Sequence, residues 1–241
     1  MKPAAITFVT GTDTDVGKTV TTAALAAAHR AVGATVAVYK PTQTGVAPDG
    51  AGDMAEVSRL SGVRAVHEGI RLRDPMAPVA AAVREGRGLP ALAQHVDRIA
   101  GLAGAFDHVL VEGAGGLLVE LDANGNTLAE LAVAAGRAFR CSTVVVCRSG
   151  LGTLNHTLLT LEALERRGLP AAGLVVGSWP RTPSDLEEDN RSYFRQLATP
   201  YLGALPAGAA GLAPHTFQER APRWLRLPAG PGPGATARSS S

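Results

Sequence analysis

The chain carries only three lysines, Lys2, Lys18 and Lys40, against 20 arginines. Two of those lysines stand where a compact point charge would serve phosphate chemistry better than a guanidinium fork. Lys18 belongs to Gly11-Thr12-Asp13-Thr14-Asp15-Val16-Gly17-Lys18-Thr19, which follows the strand-like run Ile6-Thr7-Phe8-Val9-Thr10 and opens a helix. A Gly-rich loop in that setting turns backbone N–H groups toward phosphate oxygens, helped by the helix N-terminus. Asp15, Val16, Gly17, Lys18, Thr19 and Val20 are therefore candidate nucleotide contacts. Lys18 would reach the β- and γ-phosphates, and the Thr19 hydroxyl would coordinate Mg²⁺. The strict Gly-x-x-x-x-Gly-Lys-Ser/Thr spacing puts its first glycine where this chain has Thr12, with Gly11 one residue earlier. The alternative is an ordinary Gly-rich turn, which the agreement of strand, loop, Gly-Lys-Thr and helix argues against.

Other charged residues sit where strands end. Lys40 follows a second apolar run, Thr35–Tyr39, in Lys40-Pro41-Thr42-Gln43-Thr44-Gly45. Glu112 ends a third, His108–Val111, ahead of Gly113-Ala114-Gly115-Gly116. A carboxylate closing an apolar strand is costly unless paired or metal-bound. Asp53 starts a helix after a Gly-rich loop; it is a candidate Mg²⁺ ligand beside Thr19 and Glu112, and it equally fits helix N-capping. Lys40 taken alone could be a solvated strand end. Gly152-Thr153-Leu154-Asn155 joins a strand to a helix, where free N–H groups suit an anionic substrate group or merely begin a capped helix.

These residues need a frame in which strand ends converge. Short apolar strands at 6–10, 35–39, 108–112, 143–147, 173–176 and 201–205 alternate with helical stretches. The helices fall near 17–31 (with Val20, Ala24, Ala27 and Ala31 on one face), 53–60, 90–103 and 154–167. Near-continuous apolar strands separated by helices predict an α/β fold of the P-loop NTPase type: one domain with a mostly parallel sheet covered by helices on both faces. In such sheets ligands bind beyond the carboxyl ends of strands. The 241 residues, 46% hydrophobic, suit one such domain, expected over 1–227. Residues 181–189 read as a charged connecting loop. The Pro/Gly/Ala/Ser-rich stretch 228–241 reads as a disordered tail. A net charge of +2 gives no electrostatic case for nucleic acid or an anionic membrane, and no apolar run reaches the roughly 20 residues of a membrane span. Residues 1–5 lack the features of a secretory signal. Cys141 and Cys147 fit a reducing compartment and a core role, so a cytoplasmic protein is expected. His156 reads as a packing or capping residue.

Taken in order, residues 11–19, Lys-Pro-Thr-Gln-Thr-Gly at 40–45, Asp53, Glu-Gly-Ala-Gly-Gly at 112–116 and Gly-Leu-Gly-Thr-Leu-Asn-His-Thr at 150–157 resemble the dethiobiotin synthetases. The likeness extends to about residue 210. The phosphate loop is shared with many ATPases; the 40–45 and 151–156 segments are far more specific. The resemblance implies a cytoplasmic homodimer, with its active site at the subunit interface, that uses Mg-ATP, CO₂ and 7,8-diaminopelargonate. One amine takes up CO₂ as a carbamate, the carbamate attacks the γ-phosphate, and the second amine closes the ureido ring and expels phosphate. It further implies catalytic roles for Lys18 and Lys40, and substrate contacts from Thr14, Thr44 and, at the distal carboxylate, from Gly152, Thr153, Leu154 and Asn155. Nucleotide contacts are implied for Glu112, Gly113, Ala114 and Gly115. The family often reads adenine with an Asn after the strand that here ends Val176-Gly177-Ser178-Trp179-Pro180, and that Asn is missing. Gly177, Ser178 and Pro206-Ala207-Gly208 remain as base contacts, so relaxed base selectivity is expected.

Two rivals share the broad fold. A nucleotide-switched partitioning ATPase usually carries an extra Lys near the start of the loop, where this chain has Gly11-Thr12-Asp13-Thr14. A cobyrinate-type amidotransferase synthetase would need a glutaminase domain that this length cannot hold.

Overall fold

The computed structural model describes residues 4–169 and 171–228. Of the stretch expected to be a disordered tail, 229–241 therefore lie outside the described residues. Seven strands form one sheet in the order β3-β2-β4-β1-β5-β6-β7. They are β1 (Ala5–Gly11), β2 (Val36–Gln43), β3 (Val66–Arg71), β4 (His108–Gly116), β5 (Arg140–Cys147), β6 (Ala171–Trp179) and β7 (Tyr201–Pro206). Every pairing between them is parallel. The helices are α1 (Lys18–Ala31), α2 (Asp53–Ser61), α3 (Pro78–Glu85), α4 (Leu92–Ala103), α5 (Leu128–Gly136), α6 (Thr153–Glu165), α7 (Asp185–Gln196) and α8 (Pro214–Trp224).

Period-2 alternation within the apolar strands sorts the core into two layers. Val9, Val38, Leu110, Val144 and Val146 face α1, α2 and α8 and meet Leu25, Leu60 and Phe217. Ile6, Phe8, Val109, Val111, Val145 and Cys147 face the other way and meet Ile99, Leu131, Leu164 and Phe194. The single-domain, two-faced sheet expected from the sequence is what forms.

Three local expectations need correction. Residues 185–189 are not loop: they begin α7, whose N-cap Ser184 accepts from Glu187 N–H while the Glu187 carboxylate accepts from Ser184. That is a capping box, a start signal hidden in a run read only as charged. Helix α1 does not bury one face; Thr21 through His29 are all buried, while Ala31 is exposed. β3 was not foreseen because His67, Glu68 and Gly69 break its apolar run at the sheet edge.

The sheet opens at one point. The β2–β4 ladder stops at Tyr39↔Val111, whereas β2 continues beside β3 to Gln43↔Arg71. On the other side of β4, the register with β1 jumps from Val9↔Glu112 to Gly11↔Gly116. The Gly-rich run 113–116 thus bulges away from its neighbours. Lys40 and Glu112 emerge on the two sides of this gap, next to the loop that follows β1.

Candidate active site

The phosphate loop wraps tightly. A Cβ on Gly11 would lie 2.6 Å from the Asp13 carbonyl oxygen and 3.0 Å from Lys18 Nζ. A glycine at 11, one place earlier than the strict motif, therefore leaves room for the loop to fold over it. Asp15 is the one non-glycine with positive φ (57°) among the described residues. That left-handed conformation costs a non-glycine residue roughly 1–2 kcal/mol. Gly17 is left-handed too (φ 94°) and caps α1. Against this turn runs the end of β6: a Cβ on Gly177 would lie 1.9 Å from the Val16 carbonyl oxygen. Backbone meets backbone there, and no side chain fits.

Lys18 is buried and donates to the Asp13 carbonyl at 3.0 Å. Burial above all, and then the nearby Lys40 charge, lower its pKa from the usual 10.5; Glu112, Asp53 and Asp15 pull the other way. Lys40 sits between two carboxylates, 2.8 Å from Glu112 Oε1 and 2.6 Å from Asp53 Oδ2. It is fully enclosed. Burial alone would depress its pKa, but Glu112 and Asp53 outweigh that and hold it above the usual value. A solvated strand end is thus not what Lys40 is.

Asp53 is not the N-cap of α2. Gly52 occupies that position, Asp53 is the first helical residue, and its N–H donates to Gln43 Oε1 at 2.9 Å. The Asp53 carboxylate, 37% exposed, is left free to face Lys40 and the cleft. Glu112 is wholly buried. Its Oε1 accepts from Lys40 and, at 3.0 Å, from the Thr19 hydroxyl. Its Oε2 is buried with no hydrogen-bond partner. An orphaned carboxylate oxygen beside a hydroxyl and a second, half-open carboxylate is the oxygen donor set a Mg²⁺ ion accepts alongside phosphate and water. These residues fit that ion.

Thr14, Asp15, Gly17, Lys18, Thr19 and Val20 line a cleft of about 490 Å³ with Lys40, Gln43, Thr44, Gly45, Val46, Asp53, Ala114 and Gly115. Gly113 contributes its carbonyl to Lys40 at 3.4 Å. Val16 and Glu112 are buried and do not line the open cleft, although Glu112 is hydrogen-bonded to Thr19 and Lys40, which do. Gly177, Ser178, Pro206, Ala207 and Gly208 also lie outside it; Ala207 N–H donates to the Trp179 carbonyl, joining the ends of β6 and β7. The α6 start is separate again: Gly152 (φ 86°) caps the helix, Thr153 is buried, Leu154 is half-buried and Asn155 is exposed. Within one chain, Gly152 to Asn155 do not reach the cleft. A larger hollow of about 890 Å³ lies alongside, lined by Arg71, Arg73, Arg84 and Arg87 with Asp74 and Glu85. Its acids are paired to arginines and no phosphate-loop residue lines it, so the chemistry belongs to the smaller cleft.

Several residues that shape the site carried no signal in the sequence reading. Gln43 caps α2 and lines the cleft, yet within the 40–45 segment nothing marked it out. Arg71 donates to the carbonyls of Pro48 and Gly50 and pairs with Glu68, holding the loop that follows Thr44. Asn190 Nδ2 donates to the Ser149 and Gly150 carbonyls ahead of α6. Apart from the Arg71–Glu68 pair, each of these contacts spans ten residues or more.

Comparison with known proteins agrees with this geometry. Residues 6–210 match the model of a family described as an AAA domain. The chain is similar to the ATP-dependent dethiobiotin synthetase BioD of Rhodococcus jostii (strain RHA1), at 52% identity over 221 residues, 91% of this chain and 94% of the relative. It is likewise similar to the protein of that name from Mycobacterium avium (strain 104), at 53% identity over 213 residues, 88% of this chain and 92% of the relative. In architecture it is similar to the cell division ATPase MinD of Pyrococcus furiosus, with a TM-score of 0.56 at 18% identity, covering 91% of this chain and 97% of that one. At that identity the likeness speaks for the fold alone. The phosphate loop, the Lys40 cluster and half-identity along nine-tenths of the chain make this protein a member of the ATP-dependent dethiobiotin synthetase family.

Proposed function

We propose that the chain is an ATP-dependent ligase that closes the ureido ring of dethiobiotin from 7,8-diaminopelargonate and CO₂, releasing ADP and phosphate. The observation that carries the reading furthest is Lys40, buried between Glu112 and Asp53 and facing the same cleft as Lys18. A nucleotide binder needs the loop alone. A second enclosed ammonium at the γ-phosphate end serves a reaction in which two anions, carbamate and phosphate, must meet.

The loop amides from Asp15 to Val20 and Lys18 hold the triphosphate, whose negative charge favours the protonated form of Lys18 against the effect of burial. Thr19, Asp53 and the free Oε2 of Glu112 would hold Mg²⁺, which when bound neutralises charge on the transferring phosphoryl group. Lys40 stabilises the carbamate oxygen as it attacks the γ-phosphate, and then the mixed anhydride that results. Thr14 and Thr44 orient the diamine. Ring closure by the second amine expels phosphate, a step that asks for positioning rather than covalent help from the protein.

The substrate's distal carboxylate would sit on the N–H groups of Gly152 to Asn155 from a second copy of the chain. Leu151, just before α6, is 88% exposed, and Leu158 and Leu159, in its middle, are 41% and 56% exposed. Such a patch is what a dimer would cover. The interface would thereby bring the α6 start to the partner's cleft.

The decisive assay measures phosphate release from Mg-ATP and bicarbonate with and without the diamine, with Lys40→Gln as the control. Diamine-dependent release with dethiobiotin seen by mass spectrometry, and its collapse in the variant, supports the reading. Diamine-independent hydrolysis without a new product would replace it with the nucleotide-switch alternative.

A further inference from the structure

Arg148 stands between the phosphate loop of its own chain and the α6 start that the proposed dimer gives to the partner's cleft. Its Nη2 donates to the Thr14 carbonyl at 3.0 Å and pairs with Asp13 Oδ2 at 3.2 Å. Its own carbonyl accepts from the buried Thr153 hydroxyl at 2.8 Å. One residue thus grips the phosphate loop with its side chain and the first residue of α6 with its backbone. The segment around it is fixed from behind. Asn190, itself buried, holds the carbonyls of Ser149 and Gly150, and the Ser149 hydroxyl donates to Glu187 at 2.7 Å.

The grip falls on a sensitive place. The carbonyl that Arg148 holds belongs to the peptide leading into Asp15, which is left-handed. A residue in that conformation persists only where its surroundings over-determine it. Arg148 and Asp13 are both about half exposed, and exposed ion pairs add little to folding stability. The value of the contact therefore lies in the shape of the loop.

We propose that Arg148 is a positioning residue that couples the phosphate loop to the α6 start of the same chain, so that nucleotide in one cleft and diamine held across the interface in the partner's cleft each strengthen the other's binding. This rests on the reading of the α6 start as the carboxylate site. Displacing Thr153 and the Arg148 carbonyl moves the guanidinium and with it the Thr14–Asp15 peptide; ordering either end removes part of the cost of ordering the other. Coupling between two sites is reciprocal by linkage.

The test is calorimetric titration of the full chain with a non-hydrolysable ATP analogue and Mg²⁺, with and without 7,8-diaminopelargonate, for wild type, Arg148→Gln and Arg148→Lys. Wild type is expected to bind the analogue about fivefold or more tightly with the diamine present. Arg148→Gln should bring that factor close to one with a thermal midpoint near that of wild type, and Arg148→Lys, which keeps a positive charge beside Asp13, should recover most of it. Should Arg148→Gln fail to fold, Asp13→Asn removes the paired charge and is expected to lower the factor. Full coupling in folded Arg148→Gln or in Asp13→Asn, or none in wild type, overturns the inference. Dethiobiotin formation by wild type is followed in parallel. Its absence strikes at the reading of the site, while normal product with unchanged coupling in Arg148→Gln strikes at Arg148 alone.

Discussion

Glu112 shows how one buried residue can be both a liability and a tool. Its carboxylate is offset by Lys40 on one oxygen and left with a bare second oxygen. Replacing Lys40 with Gln leaves that charge without its cation. We expect Lys40→Gln to lose turnover by at least about a hundredfold and also to lower stability by about 3 kcal/mol or more, since removing one member of a buried pair strands the other. Denaturant melts with and without Mg²⁺ measure the second effect; a variant as stable as wild type would show that Glu112 is served by another group. Lys18 supplies a pH dependence. Its pKa in the free protein is already below 10.5, and a bound triphosphate favours the charged form. Nucleotide affinity should therefore weaken as pH rises through that lowered value, earlier than for an ordinary lysine; affinity that stays flat up to pH 10.5 would contradict this. At the base end, Ser178 is exposed and no amide side chain stands in the place the family often gives to Asn. Turnover with ATP, CTP and GTP should differ by less than about a hundredfold, roughly 2.7 kcal/mol.

Among the elements, the contact of β6 with the phosphate loop is the tightest constraint. Gly177→Ala would place a methyl group 1.9 Å from the Val16 carbonyl oxygen, and neither backbone can yield without moving the loop. We expect at least a tenfold loss of nucleotide affinity, read by titration, alongside a lower melting temperature; retained affinity would mean that the loop tolerates displacement. The elements also show what a sequence can and cannot disclose. Five of the six strands read from the sequence were legible because apolar runs buried on both faces leave a strong local pattern, and β7 because Leu202 and Leu205 anchor a short apolar run. β3 escaped because an edge strand tolerates His67, Glu68 and Gly69. Lys18, Lys40 and Glu112 were legible because a charge at the end of an apolar strand is conspicuous. Gln43, Arg71, Arg148 and Asn190 were not, since their partners lie 10, 21, 134 and 41 residues away and polar loop residues look alike before they fold.

For the molecule as a whole, acid is the expected weakness. His29 is buried in α1 with its ring 3.8 Å from that of His108, and burial, with some help from His108, pushes its pKa down from 6.5 to about 4. Between those values the unfolded chain binds a proton that the folded chain refuses, so stability falls as pH falls through that window. From pH 7.5 to pH 5 the loss from this one group is about 2 kcal/mol. Urea melts at the two pH values should show it, and His29→Gln should flatten the difference; an unchanged acid slope in the variant would assign the loss elsewhere. Assembly is tested on the same scale. Leu158→Glu with Leu159→Glu should yield a monomer by sedimentation and lose diamine turnover while keeping nucleotide binding. No described helix is long and apolar enough to cross a membrane.

The gap between β2 and β4 has a consequence for how freely this protein can vary. Lys40 and Glu112 project from strands at the point where the β2–β4 ladder has ended, so the spacing of the two charges is set by the sheet although loops line much of the cleft. Insertions in the connection at 180–183, ahead of the Ser184 cap, can be absorbed without changing the spacing of the two charges. A designer wishing to retarget the enzyme to another diamine could therefore rebuild its rim extensively and leave the engine untouched.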